Sequence, residues 1–260
     1  MRQTELLGIS RASAYYIPRV NQEDKRLMDA IDAIYTECPF YGNRRIRLEL
    51  NDHLSLHLGR DRVRSLTRTM GIEAIYPKPR RQTSIPAPEH KKYPYLLSGV
   101  VAASPNHIWG TDITYIRLIE GFCYLVALLD WYSRYVVAWR IAPTLASGFC
   151  VDNLQAGLAL ALPVYHNSDQ GVQFTDKDYV GELQAHPSIQ ISMDGRGRCM
   201  DNIFTERLWR TVKYEDVYLR SYADIDAARE GLGNYFDFYN NRRRHQSLDY
   251  RTPSAVYHGG

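Results

Sequence analysis

Three runs rich in β-branched and aromatic residues, 107–116, 122–129 and 134–141, follow one another with only a few residues between them. Such short connections leave no room for a crossover helix, so the strands must be antiparallel neighbours. A helical stretch at 146–162 comes next, then a brief strand at 164–167 and a helix at 176–185. A strand at 189–193, a Gly-rich loop at 194–198 and a helix from Asp201 complete the pattern. The order β-β-β-α-β-α-β-α restricts this part of the chain to an α/β fold, a mixed five-stranded sheet with helices against it.

That order describes a ribonuclease-H-like fold, in which strands one and four lie side by side. Asp112 sits within the first strand, in Thr111-Asp112-Ile113-Thr114. Asp169 follows the fourth strand, and Glu206 lies on the helix after the fifth. A carboxylate in an apolar strand is costly to bury without a partner, so Asp112 asks for a specific reason to be there. Asp169 alone suits a turn, and Glu206 alone suits a solvated helix face. Their joint placement, where this topology brings carboxylates together, argues for a shared site. Hard oxygen ligands with open positions suit Mg²⁺ or Mn²⁺. Two such ions fit phosphodiester chemistry, one activating a nucleophile and the other stabilising the leaving oxygen.

The helix from Asp201 to Lys213 sharpens the expectation. Helical spacing puts Asn202, Glu206, Trp209/Arg210 and Lys213 on one face. Ile203, Phe204, Leu208 and Val212 cover much of the other. Glu206 and Lys213 are then about 10 Å apart along the helix. An ordinary amphipathic helix with a salt-bridged outer face would read the same way, so the helix gains its meaning from the two aspartates.

Charge divides the chain. Residues 1–92 carry 17 Lys/Arg against 11 Asp/Glu, whereas 93–220 carry 10 against 13. A basic front joined to an acidic middle suits a nucleic-acid-binding module on a carboxylate-bearing core. Residues 1–23 read as a short helix-and-turn piece, the tail of a unit that starts elsewhere. Residues 24–76 read as three helices, near 24–37, 42–52 and 60–70, the last with Arg60, Arg64 and Arg68 along one face. With Arg44 and Arg45 exposed on the second helix, this is a small helix-turn-helix-like domain, and a merely solvated arginine face is its equal alternative. A proline-punctuated basic linker spans 77–105, the catalytic core 106–220, and a helix with a basic tail, Arg242 to Arg244, the rest. Cys38, Cys123, Cys150 and Cys199 are widely spaced, which excludes a CxxC zinc site and offers no disulfide framework. The absence of an apolar leader or spanning run gives a cytoplasmic location as the expectation.

Several stretches resemble the orfB-type transposases of bacterial insertion-sequence family three, which have a retroviral-integrase-like catalytic core. They are LLGISRASAYY (6–16), YGNRRI (41–46), MGIEAIYPKPR (70–80), WGTDITY (109–115) and DWYSR (130–134). NSDQGVQF (167–174), SMDGRGR (192–198), 201–214 and YNNRRRHQSLDYRTP (239–253) extend the resemblance over nearly the whole chain. It implies metal-dependent cleavage of DNA 3′ ends and strand transfer, with Asp112, Asp169 and Glu206 as catalytic metal ligands and two Mg²⁺ or Mn²⁺ ions when DNA is bound. It implies that Lys213 contacts the DNA end. Its implied partners are element ends, target DNA, an orfA product or an orfA–orfB fusion, and further copies of the chain. Arg210, Arg243 and Arg244 are added here as candidate DNA contacts. Two departures stand out. Thirty-six residues separate Asp169 from Glu206 where the family usually has about 35, and Arg244 precedes His245 where relatives more often have proline. A hydrolytic ribonuclease-H-type nuclease and an inactive DNA-binding remnant are the alternatives.

Overall fold

The computed structural model describes residues 21–75, 93–194 and 202–259. The segment 1–20, the linker cations Lys78, Arg80, Arg81, Lys91 and Lys92, and most of the Gly-rich loop lie outside the described residues. The chain divides into two compact units, 1–76 and 77–260.

The first unit holds three helices, α1 (Gln22–Glu37), α2 (Asn43–Leu54) and α3 (Arg60–Thr69). Asn21 caps α1 by accepting from the Glu23 amide, while α2 and α3 start after Gly42 and Gly59. Leu27, Ile31, Ile46, Leu50, Val63 and Leu66 are buried at helical spacing and form its core. Arg60, Arg64 and Arg68 are all exposed on α3, as is Arg44 on α2. Arg45 is half-buried, with its guanidinium 5.2 Å from the Tyr41 ring centroid.

The second unit is built on a five-stranded sheet in the order β3-β2-β1-β4-β5. Its strands are β1 (Ile108–Arg117), β2 (Phe122–Asp130), β3 (Val136–Ala142), β4 (Tyr165–Ser168) and β5 (Gln190–Met193). The first three are antiparallel, whereas β4 pairs parallel to β1 and β5 parallel to β4. Parallel pairing requires crossovers, supplied by α4 (Gly148–Leu158) before β4 and by α5 (Val172–Thr175) with α6 (Lys177–Gln184) before β5. One face of the sheet packs Trp109, Val126 and Leu128 against Leu154, Tyr179 and Leu183.

The other face receives α7 (Ile203–Val212), a π-helical turn (Lys213–Val217), α8 (Tyr218–Arg220) and the long α9 (Ile225–Asn241). Ile116, Leu125, Ala127 and Leu129 meet Leu208, Trp209, Val212, Leu232 and Phe236 there. A 3₁₀ turn (Gln246–Leu248) and α10 (Pro253–His258) end the fold. The segment after 220 is therefore half of this core layer, although its sequence reads as a helix and tail.

Candidate active site

Asp112 lies at the register position opposite Ala127, near the point where β4 leaves β1. β4 pairs only with Ile108, Trp109 and Gly110, so its end delivers Asp169 towards Asp112. Asp169 Oδ1 accepts the Gly171 amide at 2.8 Å, an Asx-type turn that fixes this carboxylate. A Cβ at Gly171 would stand 2.8 Å from the same oxygen, so any larger residue there would have to shift this carboxylate. The strand end is tied down further by Asn167 Nδ2 on Asp194 Oδ1 at 2.8 Å and Gln170 Nε2 on the Asp194 carbonyl at 2.9 Å.

Glu206 is brought in by an unusually close helix–sheet approach. A Cβ on Gly110 would fall 2.2 Å from Trp131 Nε1 and 3.0 Å from Thr205 Oγ1, so only glycine lets α7 sit this near β1. Asn202, at the N-cap, does not cap α7 with its side chain. Its Nδ2 donates to the Thr111 carbonyl at 3.3 Å and its Oδ1 accepts from Thr205 Oγ1, pinning the helix start to β1. Glu206 is exposed in the first turn, where the helix dipole favours an anion.

The three carboxylates are coupled through Asp112. Burial pushes the Asp112 carboxyl up to about 7, helped by the charge of Asp169 and, more weakly, by that of Glu206. Hydrogen bonds from Trp209 and from the Ile113 amide oppose the rise. Asp169 reaches the surface, yet the protein around it also raises its carboxyl. Partial desolvation beside the sheet raises the otherwise exposed Glu206 as well. Among the described residues no three His, Cys, Asp or Glu stand as a ready-made metal cluster. The arrangement sets Asp169 past the end of β4 beside the β1 position of Asp112, with Glu206 on the helix packed against β1. Its donor set suits a hard divalent cation, because oxygen ligands that repel one another in a desolvated site gain most from a positive charge between them.

Trp209 is the residue whose role the helical spacing conceals. It is buried, and its Nε1 donates to Asp112 Oδ2 at 2.9 Å. Asp112 Oδ1 accepts the Ile113 amide at 2.8 Å, so both carboxylate oxygens are held. Lys213 is half-buried with its Nζ 4.6 Å from the Tyr115 ring centroid. Burial lowers the Lys213 ammonium and the negative charge of Asp112 opposes that. Arg210 is exposed one turn beyond Glu206.

Other motif residues turn out to build the scaffold. Asp130 Oδ2 accepts the Asn106 amide at 2.8 Å, and its Oδ1 accepts the Ser133 amide at 2.7 Å. Arg134, at φ 63°, lays its guanidinium 3.6 Å from the Phe204 ring centroid, linking the β2–β3 turn to α7. Asn240 binds both the amide and the carbonyl of Val136, at 2.9 and 3.0 Å.

Arg243, expected at a DNA phosphate, is corrected by the structure. It is buried, and its Nε and Nη2 donate to Glu215 Oε2 and Oε1 at 2.6 and 2.5 Å. Its Nη1 lies 3.0 Å from His245 Nε2, and Tyr235 Oη donates to Glu215 at 2.9 Å. Burial alone would lower the guanidinium, but the Glu215 carboxylate beside it raises it well above its ordinary value. The bidentate partner inside the fold takes the place of a phosphate. Arg244 is half-buried.

Comparison with known proteins places these features. Residues 102–199 and 187–253 match models described as integrase core domain, and 22–80 match an HTH-like domain. The chain therefore carries an integrase core domain preceded by an HTH-like domain. An insertion element IS600 protein of 31 kDa from Shigella sonnei is 28% identical over 262 residues, covering 96% of both chains. The transposase InsF for insertion sequence IS3A of Escherichia coli is 32% identical over 148 residues, 55% of this chain and 51% of that one. The integrase core also superposes on the HTLV-2 integrase catalytic core domain in complex with magnesium, at a TM-score of 0.50 and 20% identity, over 61% of this chain and 100% of that one. The ribonuclease-H-like fold and the resemblance to insertion-sequence transposases therefore hold. Among the described residues no helix is long and apolar enough to cross a membrane.

Proposed function

We propose that this integrase-core chain is a DNA transposase that cleaves DNA at the 3′ ends of an insertion sequence and joins those ends to target DNA. The observation that carries the proposal is the placement, on an integrase core, of Asp112 in β1, Asp169 just past the end of the adjacent β4, and Glu206 on the helix that Asn202 pins to β1. Asp112, Asp169 and Glu206 would hold Mg²⁺ or Mn²⁺, two ions with DNA bound, supplying charge at the reacting phosphate and activation of the attacking oxygen. Trp209 keeps the Asp112 carboxylate in one orientation. Lys213 and Arg210 offer positive charge beside the carboxylates, where a scissile phosphate must lie. The same residues serve cleavage, with water attacking, and joining, with the freed 3′-hydroxyl attacking, because only the incoming oxygen differs.

In the helical unit Arg44, Arg45, Arg60, Arg64 and Arg68 are assigned to backbone phosphates, which gives salt-sensitive affinity. Arg244 is assigned the same role in the core. An orfA product and further copies of the chain are the proposed protein partners, and the cytoplasm its location.

The experiment is a joining assay with a 3′-hydroxyl DNA donor, a target duplex and Mg²⁺. Wild type should give joined products, and Asp112→Asn, Asp169→Asn and Glu206→Gln should give none while still binding DNA. Hydrolysis without joining would replace transposase by nuclease. Wild-type activity no greater than that of Asp112→Asn would make the chain a DNA-binding remnant.

A further inference from the structure

The hairpin of β1 and β2 carries side chains that neither the core nor the carboxylate site uses. Beyond Asp112, alternate residues split cleanly. Ile116, Cys123 and Leu125 are buried and fill the layer against α7 and α9. On the opposite face the pattern calls for polar side chains facing water. The chain instead places Tyr115, Phe122 and Tyr124 there, with Arg117. Tyr115 is 60% exposed and Phe122 56%, although both are large aromatics.

These residues are arranged in pairs. Tyr115 stands opposite Tyr124 and Phe122 opposite Arg117 in the strand register. The Tyr115 and Phe122 rings meet edge to face, with centroids 5.8 Å apart. β4 pairs with β1 only as far as Gly110, and no other strand among the described residues takes up that edge beyond it. Lys213 reaches the ring of Tyr115 from the α7 side, with Nζ 4.6 Å from its centroid. Tyr115 is three residues along the strand from Asp112, about 10 Å, and on the opposite face of the sheet, so a strand reaching both sites passes over the open edge of β1. Lys213, which follows α7, thus rests on the first ring of a row in which Tyr115 and Phe122 are exposed and Tyr124 half-buried.

Aromatic faces interleaved with fixed cations are the chemistry that binds unpaired nucleotides. Bases stack on the rings irrespective of sequence, and the cations hold the backbone between them. Duplex DNA offers no free base faces along its length, so it would gain nothing from the rings. We propose that Tyr115, Phe122 and Tyr124, with Lys213 and Arg117, form a stacking site for unpaired nucleotides of a DNA strand that continues from the carboxylate site. The proposal rests on the transposase reading for its substrate and adds that this substrate is single-stranded next to the reacting phosphate. A second protein copy covering the same rings is the competing occupant. The cations favour the polyanion.

The test uses the full chain without metal, so neither cleavage nor joining enters the readout. The probes are an oligodeoxythymidylate with one 2-aminopurine and a blunt duplex of similar charge. Wild type should bind the oligonucleotide and change the 2-aminopurine emission. Tyr115→Ser and Phe122→Ser should each weaken oligonucleotide binding about tenfold and the blunt duplex by no more than about twofold. Tyr115→Phe, which keeps the ring, should behave as wild type. Thermal melts identify any variant that fails to fold, and Phe122→Ser, nearer the hairpin tip, then carries the decision with Tyr115→Phe. Unchanged oligonucleotide binding, an equal loss on both probes, or a shift in oligomeric state alone would each overturn the proposal. Joining activity in wild type without the stacking signal would sink this site and leave the transposase reading intact. The stacking signal without joining would do the reverse.

Discussion

The indole Nε1 of Trp209 donates to Asp112 Oδ2 at 2.9 Å, binding α7 to β1 through the buried carboxylate of the candidate site. One residue thereby serves the hydrophobic layer with its ring and the chemistry with its single polar atom. A tryptophan suits this place because its N–H needs a partner when the ring is buried.

Trp209→Phe keeps an aromatic ring in the layer and removes the donor along with some buried volume, so rates are compared at matched folded fraction. The expected result is a fall of about 10- to 100-fold in joining rate at saturating DNA, the usual range for losing a residue that orients a metal-binding side chain. DNA affinity should stay within about twofold. A steady-state rate equal to wild type would mean that the Ile113 amide alone is enough to orient Asp112.

Arg243→Met separates an arginine that holds the fold from one that holds a DNA phosphate. Removing one member of a buried bidentate pair leaves Glu215 uncompensated, which costs about 3–5 kcal/mol. Denaturant unfolding should show this loss, and the pair Arg243→Met with Glu215→Gln should recover much of it. The salt dependence of DNA binding should be unchanged at matched folded fraction. A slope reduced by about one in log–log form would restore Arg243 as a phosphate contact.

These two residues show what a linear sequence conveys. The sheet was legible because its strands are short apolar runs with tight connections, and because parallel β4 and β5 each follow a helix. Asp112 and Asp169 stood out as candidates because Asp112 interrupts an apolar strand and Asp169 directly follows one. The burial of Arg243 was not, since an Arg-Arg-Arg run gives no sign of which member turns inward. Its partner Glu215 lies 28 residues earlier in a π-helical turn, and only the fold of α9 brings the two together. A core place for Trp209 was open from the sequence, but its hydrogen bond to Asp112 was not legible. Helical spacing puts Trp209 beside Arg210, but the apolar face is wide enough to include it, and its hydrogen bond spans 97 residues.

Gly110→Ala tests how the helix that carries Glu206 is held. The added Cβ meets Trp131 Nε1 at 2.2 Å and Thr205 Oγ1 at 3.0 Å, and both belong to packed groups. Overpacking of this kind costs about 1–3 kcal/mol. Joining activity measured well below the melting temperature should also fall, because the strain is relieved by moving α7 and with it Glu206. Loss of stability with full activity would show that Trp131 yields and α7 does not.

His166 supplies a pH dependence with a definite sign. It is fully buried on β4, with Nε2 3.1 Å from Tyr179 Oη, and Nδ1 has no hydrogen-bond partner. Burial lowers the imidazole to about 4 from an ordinary 6.5. Above pH 6.5 both folded and unfolded chains keep it neutral, and it contributes no pH dependence. As the pH falls from 6.5 towards 4, the unfolded chain takes up a proton that the folded chain refuses. Stability is therefore lost on acidification, by about 1.4 kcal/mol per pH unit and about 3 kcal/mol in all. Other groups titrate in the same window, so the informative quantity is a difference. His166→Gln keeps an acceptor for Tyr179 and cannot titrate. Its unfolding free energy should vary less steeply than that of wild type between pH 4 and 6.5 and run parallel to it above pH 7. Parallel curves throughout would mean that the folded protein accepts the proton, with a local opening that lets Nδ1 reach water.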